Sequence, residues 1–595
     1  MITDRIAALR EEMKADGVNA VIIPRTDPHL SEYIADHWHV VRYFSGFTGS
    51  AATLVVTLDN ALLWTDSRYF LQAAHQLEGS GITLMKEGLP DTPSITEYLT
   101  TNLPKGDTVA IDGLLMSIAA TDALRDDLAR AGLKLRVDFT PVDKIWTDRP
   151  ALPADKIFIH DVKYAGKTAK EKMAEVLADA AAQGATSVFI SALDEIAWTL
   201  NLRSSDVPCN PVATSFLYLA ADKAVLFIDP AKVTPEAKAA LEADGVTLKA
   251  YGDVKEFLTS LPADAHVLLS ATQSSGAVAA WLGQKAVVGK SAVAMLKAVK
   301  NATQIEGIRQ AMKRDGVAMV RSLIEIEKLV KSGKKFTETD VADILLANRK
   351  KGDNFFDLSF DTIAGYGANG AIVHYSPDKA TAATIKPGNL LLIDSGANYL
   401  DGTTDLTRTI AIGEPSDDMI HDFTLVMKGH IALATAIFPE GTRGAQLDAF
   451  ARMPLWKEGK SYLHGTGHGV GHFLNVHEGP QSIRLNDTLA PLTPGMLTSN
   501  EPGLYLADRY GIRCENLVLT VPCMETEFGR FFQFETMTLC PFDRNLFNIE
   551  EMTEEEIDWV DSYHAMVWTE LSPLLNDEEK AWLREATKSL LILEL

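Results

Sequence analysis

Residues 390–410 read LLLIDSGANYLDGTTDLTRTI. An apolar run, the texture of a buried strand, ends in Asp394. A turn rich in Gly and Asn follows, and a second strand-like run carries Asp405. Folded back on each other, the two runs bring both carboxylates side by side on adjacent strands. Two carboxylates in an apolar setting repel, and they persist there only by sharing a proton or by holding a cation between them. Read alone, Asp394 is more often a strand-end cap or turn former. Asp405, beside Thr403, Thr404 and Thr407, is no more decisive by itself.

Two more carboxylates lie further along. In TSNEPGLYL (498–506), Glu501 ends a strand just before a Pro-Gly turn, and in GIRCENLVLTV (511–521), Glu515 sits inside an apolar strand. Alternation there puts Arg513, Glu515 and Leu517 on one face, so a buried Arg513–Glu515 pair is the plain structural reading.

Between these segments runs HGTGHGVGHFLNVHEGP (464–480), which holds His464, His468, His472 and His477. Gly465, Gly467, Gly469 and Gly471 make a regular helix improbable, so the helical two-histidine zinc motif does not apply. Glycine at this density lets backbone approach a site closely. One histidine with four strand-borne carboxylates makes an oxygen-rich set able to hold two divalent ions, and it suits Mn, Mg or Co better than a structural zinc site. Such a pair can activate a water and polarise a carbonyl.

The rest of the chain sets the frame. Its 595 residues exceed one core and suggest about three domains. A formal charge of −24 disfavours nucleic-acid binding. Cys209, Cys514, Cys523 and Cys540 show no Cys-x-x-Cys spacing, which argues against a disulfide framework or a thiolate zinc site. The first twenty residues read as a charged amphipathic helix rather than a secretory signal, and no apolar run reaches eighteen residues. A cytoplasmic protein that avoids membranes is expected.

AVIIP (20–24), ATLVVTL (52–58) and ALLWTD (61–66) read as strands among helices. A proline-rich connector follows, and TSVFISALDEIAWTLNLR (186–203) with SFLYLAADKAVLFID (215–229) repeats the earlier order, implying a duplicated α/β module. Thr303 with Glu306 predicts a capping box opening a long helix. Thr553 with Glu556 and Asn576 with Glu579 predict two more helices in the tail. The apolar tail face (WVDSYHAMVW) packs either on its own domain or on a second subunit.

Taken in order, Asp394, Asp405, His468, Glu501 and Glu515 with their motifs (IDSG, TDLTRT, HGTGHGVG, SNEPG, IRCEN) resemble the pita-bread metallopeptidase family, which includes methionine aminopeptidase, prolidase and aminopeptidase P. The resemblance implies that these five bind two divalent ions, Mn²⁺ above all, with Co or Zn as other occupants. DTIAGYGANGAIVHYSP (361–377), SGFTGSAATLVV (45–56), WTDSRYFLQAA (64–74), LKAVKN (296–301) and PFDRNL (541–546) are similar to the three-domain aminopeptidase P form. The implied fold is α/β (α+β): creatinase-like domains at 1–145 and 146–300, then a pita-bread catalytic domain at 301–595 with a helical extension from about 545. The implied reaction is hydrolysis of the bond between an N-terminal residue and a penultimate proline, by attack of a hydroxide bridging the two metals. Glu501 is implied as the proton shuttle and His464 as the oxyanion partner. His374, His464, His477, Tyr505 and Arg68 are implied on the substrate side, and Arg513 behind the ligands, orienting Glu515 or another site carboxylate. His472 is left as an ordinary polar position and Cys514 as a packing residue. A homodimer is expected. A prolidase-like dipeptidase is the competing reading, and an inactive binding protein of the same fold is the third; retention of all five ligand residues argues against the last.

Overall fold

The computed structural model describes residues 1–591. The chain forms two compact units, one of Met1–Val162 with Lys167–Leu296, the other of Lys163–Gly166 with Lys297 onward.

The first unit holds two six-stranded sheets. Strands β1 (Ala20–Pro24), β2 (Thr53–Thr57), β3 (Ala61–Thr65), β4 (Thr83–Lys86), β5 (Thr108–Ala110) and β6 (Lys134–Arg136) line up as β4-β3-β2-β1-β5-β6. Strands β7 (Ser187–Ile190), β8 (Phe216–Ala220), β9 (Lys223–Phe227), β10 (Val246–Lys249), β11 (Val267–Ser270) and β12 (Ala286–Gly289) line up as β10-β9-β8-β7-β11-β12. In both sheets the two pairs around the second strand are antiparallel and the other three are parallel. Equal order and equal sense bear out the duplication read from the sequence. The apolar runs are continuous because both faces are covered. Val21, Ile23, Leu54, Val56 and Leu63 enter one core, while the alternate Ala20, Ile22, Val55, Leu62 and Trp64 enter another. His29 ties the repeats together, its Nδ1 2.8 Å from the Ser191 carbonyl and its Nε2 2.9 Å from the Tyr251 hydroxyl.

The second unit opens with helix α1 (Ala302–Ser332). Its cap is not Thr303 with Glu306 but Asn301 with Gln304. Asn301 has the extended backbone an N-cap needs, and its short side chain reaches the Gln304 N–H. Helices α2 (Glu338–Arg349), α3 (Gly444–Trp456), α4 (Glu554–Leu571) and α5 (Asp577–Ala586) follow. Strands β13 (Ile363–Tyr366), β14 (Asn389–Ser395) and β15 (Leu406–Ile412) form one antiparallel sheet. A second sheet orders β16 (Ile437–Pro439), β17 (Gly467–Gly469), β18 (Glu478–Ile483), β19 (Leu497–Asn500), β22 (Asn516–Thr526) and β23 (Gly529–Thr536) as β16-β23-β22-β19-β17-β18. Between β19 and β22, strands β20 (Gly503–Leu506) and β21 (Tyr510–Arg513) form a small hairpin.

Both tail caps form where the sequence puts them. Ile557, Val560, Tyr563, Val567 and Leu571 of α4 are buried in the unit's own core, and Trp559 stacks on Tyr563. Of the two readings of the tail, closure of its own domain holds. Exposed apolar surface lies elsewhere: Phe450, Met453 and Trp456 on α3 are 40%, 49% and 46% exposed. Among the described residues no helix is long and apolar enough to cross a membrane.

Candidate metal centre

Asp394 is opposite Thr407 in the β14–β15 ladder. Asp405 lies two residues before Thr407 and therefore on the same face as Asp394. The strands are not a simple hairpin. Residues Ala397–Tyr399 and Gly402–Thr403 leave to pair in a separate small sheet. From the other sheet, Asn500 pairs with Asn516, so Glu501 and Glu515 stand just outside the β19–β22 ladder. The sheets meet where Thr407 bridges Glu515. The Glu515 N–H donates to the Thr407 carbonyl (3.1 Å), and the Thr407 hydroxyl donates to Glu515 Oε2 (2.7 Å).

His468 completes the group. Its Nδ1 is 2.9 Å from the Gly469 carbonyl, which assigns the ring proton there and turns the Nε2 lone pair toward the carboxylates. Nε2 lies 3.3 Å from Glu501 Oε1 and 3.5 Å from Asp405 Oδ2. Ligand atoms of Asp405, His468 and Glu515 all fall within 4.8 Å of one another. Burial above all, with Asp394 and Glu501 adding, holds Asp405 well above the carboxylate range. Glu515 is raised in the same way, and burial with the Asp394 charge, opposed by Arg513, pushes Glu501 up to about 7. Asp394 Oδ1 is buried without a hydrogen-bond partner. Crowded buried acids, an orphaned carboxylate oxygen and a pre-oriented imidazole nitrogen are what a pair of divalent cations requires, so the residues fit such a centre.

The expected Arg513–Glu515 pair is not formed. The strand breaks at Cys514, and Arg513 instead donates to Asp394 Oδ2 (2.6 Å) and the Tyr505 hydroxyl (2.8 Å). That hydroxyl is 2.8 Å from His464 Nε2, while His464 Nδ1 is 2.8 Å from the Gly465 carbonyl. Asp394, Arg513, Tyr505 and His464 thus form one chain of hydrogen bonds. The His477 ring stands 4.4 Å from that of His468. His374 follows Val373, whose carbonyl accepts from Arg513 (3.3 Å). Arg68 belongs to the first unit, where Asp66 takes its guanidinium in a fork and Glu32 lies 3.5 Å away. His472 is buried, and so is Cys514, whose thiol burial pushes up to about 12.

The glycines serve the close backbone approach read from their density. Gly467 and Gly469 belong to β17 with ordinary extended backbone. A Cβ on Gly467 would stand 2.0 Å from the Ser499 carbonyl oxygen, and one on Gly469 2.3 Å from that of Glu478. Closeness, not flexibility, demands glycine there.

Several supporting residues were missed. Arg408, buried within TDLTRT, donates to the carbonyls of Glu515 (2.6 Å), Cys540 (2.7 Å) and Pro541 (3.2 Å) and packs on Phe542. It fastens the PFDRNL segment behind Glu515. On α3, Asp448 accepts from Arg452 (2.6 Å), and Arg452 in turn donates to the carbonyls of Tyr462 and His464. Buried Glu478 receives Lys297 (2.7 Å) on one oxygen and Lys300 (2.6 Å) on the other. Part of this signal was in view, since Arg408, Glu478 and both lysines lie inside quoted motifs; only the long-range partners were not.

A model for metallopeptidase family M24 matches residues 306–522, and one for its C-terminal region matches 530–590. Creatinase/prolidase N-terminal domain models match 5–146 and 148–304. The chain belongs to the M24 metallopeptidases that carry creatinase-type N-terminal domains, in the aminopeptidase P group. It is 43% identical to a probable Xaa-Pro aminopeptidase P of Laccaria bicolor, over 98% of this chain and 92% of that one. To aminopeptidase P2 of Arabidopsis thaliana it is 41% identical, over 99% and 89%. Among solved structures, X-prolyl aminopeptidase from Caenorhabditis elegans, described as a cytosolic enzyme with a di-nuclear active site, superposes with a TM-score of 0.95 at 36% identity, covering 99% of this chain and all of that one.

Proposed function

We propose that this chain is a metal-dependent aminopeptidase that releases the N-terminal residue from peptides whose second residue is proline. The observation that carries the reading is the convergence of Asp394, Asp405, His468, Glu501 and Glu515 from two sheets, in a chain that matches aminopeptidase P relatives over nearly its whole length. These five would hold two divalent ions, Mn²⁺ first among them. Such ions, when bound, activate a water and polarise the scissile carbonyl.

The chain's own residues do the rest. Glu501, beside His468 at the edge of the ligand set, is placed to take a proton from the attacking water and return it to the leaving proline nitrogen. His464 and the Tyr505 hydroxyl are hydrogen-bonded to each other, and once His464 carries a second proton it donates to Tyr505, leaving the hydroxyl proton free to steady negative charge developing on the carbonyl oxygen. Arg513 holds Asp394 and Tyr505 at fixed distance from each other, which ties the ligand set to that pair. His374 and His477 orient the substrate. An Xaa–Pro bond offers no N–H, so recognition has to come from such side-chain placement rather than from a peptide donor.

The division into lobes 1–145 and 146–300 ahead of a catalytic 301–595 belongs to the same reading. The apolar stripe of Phe450, Met453 and Trp456 supports a homodimer built through α3 rather than through the tail. A cytoplasmic location agrees with the cytosolic Caenorhabditis relative. The prolidase-like alternative predicts that Xaa-Pro dipeptides are preferred to longer peptides. The test is release of the first residue from an Xaa-Pro-Yaa peptide before chelation, after chelation and after Mn²⁺ is restored. Loss and recovery are expected; dipeptide-only cleavage, or none with Mn²⁺ bound, overturns the reading.

A further inference from the structure

Glu338 is the first residue of α2 and is wholly buried. Its carboxylate faces a single loop. Oε1 accepts from the Tyr366 N–H (2.7 Å) and Asn369 Nδ2 (2.9 Å). Oε2 accepts from the Tyr375 hydroxyl (2.7 Å), the Ala383 N–H (2.8 Å) and, more distantly, Asn369 Nδ2 (3.1 Å). The Glu338 N–H in turn donates to the Ala383 carbonyl (3.2 Å). A buried carboxylate is costly unless donors replace its water; these donors do so, and the helix N-terminus adds its own favourable field.

The loop so gathered runs from the end of β13 to residue 383. Beyond the single 3-10 turn Gly367–Ala371, it has no helix or strand of its own. Its order therefore depends on side-chain anchors. His374 sits in the middle, and each of its chain neighbours is pinned. The Val373 carbonyl accepts from Arg513, and the Tyr375 hydroxyl donates to Glu338. One pin leads to the metal-ligand network and the other to Glu338.

We propose that Glu338 is a positioning residue for the reaction: it clamps the 366–383 loop so that His374 is held against the Arg513 side of the site. Glu338 itself touches neither ligand nor substrate. The inference rests on the substrate-side reading of His374.

The experiment uses the full chain loaded with Mn²⁺ and an Xaa-Pro-Yaa peptide, with kcat, KM, bound metal and Tm measured throughout. The variants are Glu338→Gln, Tyr375→Phe, His374→Ala, and each of the first two combined with His374→Ala. Glu338→Gln is expected to lower kcat/KM by about tenfold or more with metal content unchanged, and Tyr375→Phe by a smaller factor. In the His374→Ala background each should cost less than about twofold further, because the group they position is gone. Where Glu338→Gln folds poorly, the Tyr375→Phe cycle carries the same test. Losses that multiply in the double variants, or that track lost metal, overturn the positioning role while leaving His374 itself intact. A fully active His374→Ala protein removes the reading beneath it and the inference together.

Discussion

The metal-ligand set and the substrate-side histidines meet at one site but are held there by different means. Asp394 lies within a ladder, and Asp405, Glu501 and Glu515 each stand one residue beyond a ladder end, where the register of the paired strands sets the neighbouring Cα. His468 rides on β17, wedged so tightly that its glycine neighbours tolerate no Cβ. His374, His464 and His477 stand on segments with little ladder of their own. A buried charged group beside each takes over: Glu338 for the loop of His374, Asp448–Arg452 for His464, and Lys297, Lys300 and Glu478 for His477. Ladders give rigidity where cation distances must be exact to tenths of an ångström. Buried charged anchors allow loops, which can follow a substrate's shape, to be fixed at single points.

The largest test of that contrast is Asp405→Asn. Asp405 is buried at the centre of the ligand group, within reach of both His468 and Glu515. Removing its charge should strip bound metal and lower kcat/KM by more than the roughly 100-fold ceiling of an outer-shell change. A variant that keeps two equivalents of Mn²⁺ and most of its activity would show that the ladder carboxylates are not the metal scaffold.

A matched pair sharpens it further. Arg513 and Arg452 are both fully buried, both fork between a carboxylate and other acceptors, and both change conservatively to Lys. Lysine keeps the charge but serves only part of either fork. Arg513→Lys loosens Asp394 from Tyr505 and should cost roughly 10–100-fold in activity, with weaker metal binding. Arg452→Lys releases only the Tyr462–His464 segment, so metal affinity should be unchanged and kcat/KM should fall by about tenfold or less. Equal loss of metal in both, read by titration against a chelating indicator, would erase the distinction between the two regions.

The same contrast explains what could be read from sequence. The carboxylates were legible because strand alternation is local: IDSG and TDLTRT announce their own faces, and the repeated strand order of the first unit announces its duplication. Arg513 was legible as a residue behind the site carboxylates, but strand alternation alone points it at Glu515 instead of Asp394. Alternation assumes an unbroken strand, and the chain breaks at Cys514, which swings Arg513 to Asp394 and leaves Glu515 to Thr407. The glycine density announced a close backbone approach, but which backbone comes close (that of Ser499 and Glu478) is a tertiary fact the sequence does not carry. Glu338 left no local signal, since its donors lie 28 to 45 residues away.

The smallest effect concerns protons rather than side chains. In the ligand set the acids are raised: burial and mutual repulsion hold Asp405 and Glu515 well above their usual range and Glu501 at about 7, against 4.5 for a free glutamate. Between those values the folded chain, stripped of metal, binds more protons than the unfolded chain. Its stability therefore falls as pH rises through that window. Divalent cations take the place of those protons, so their stabilising effect runs the other way and grows with pH. Melting curves of chelated and Mn²⁺-loaded protein at pH 6 and pH 8 should differ more at pH 8, by an amount on the order of a few kcal/mol at most. The difference between the two curves cancels every titrating group outside the site, including the ion pairs that hold the histidine loops. A metal-induced rise in Tm that is the same at both pH values would mean that the crowded acids are not the groups the cations relieve.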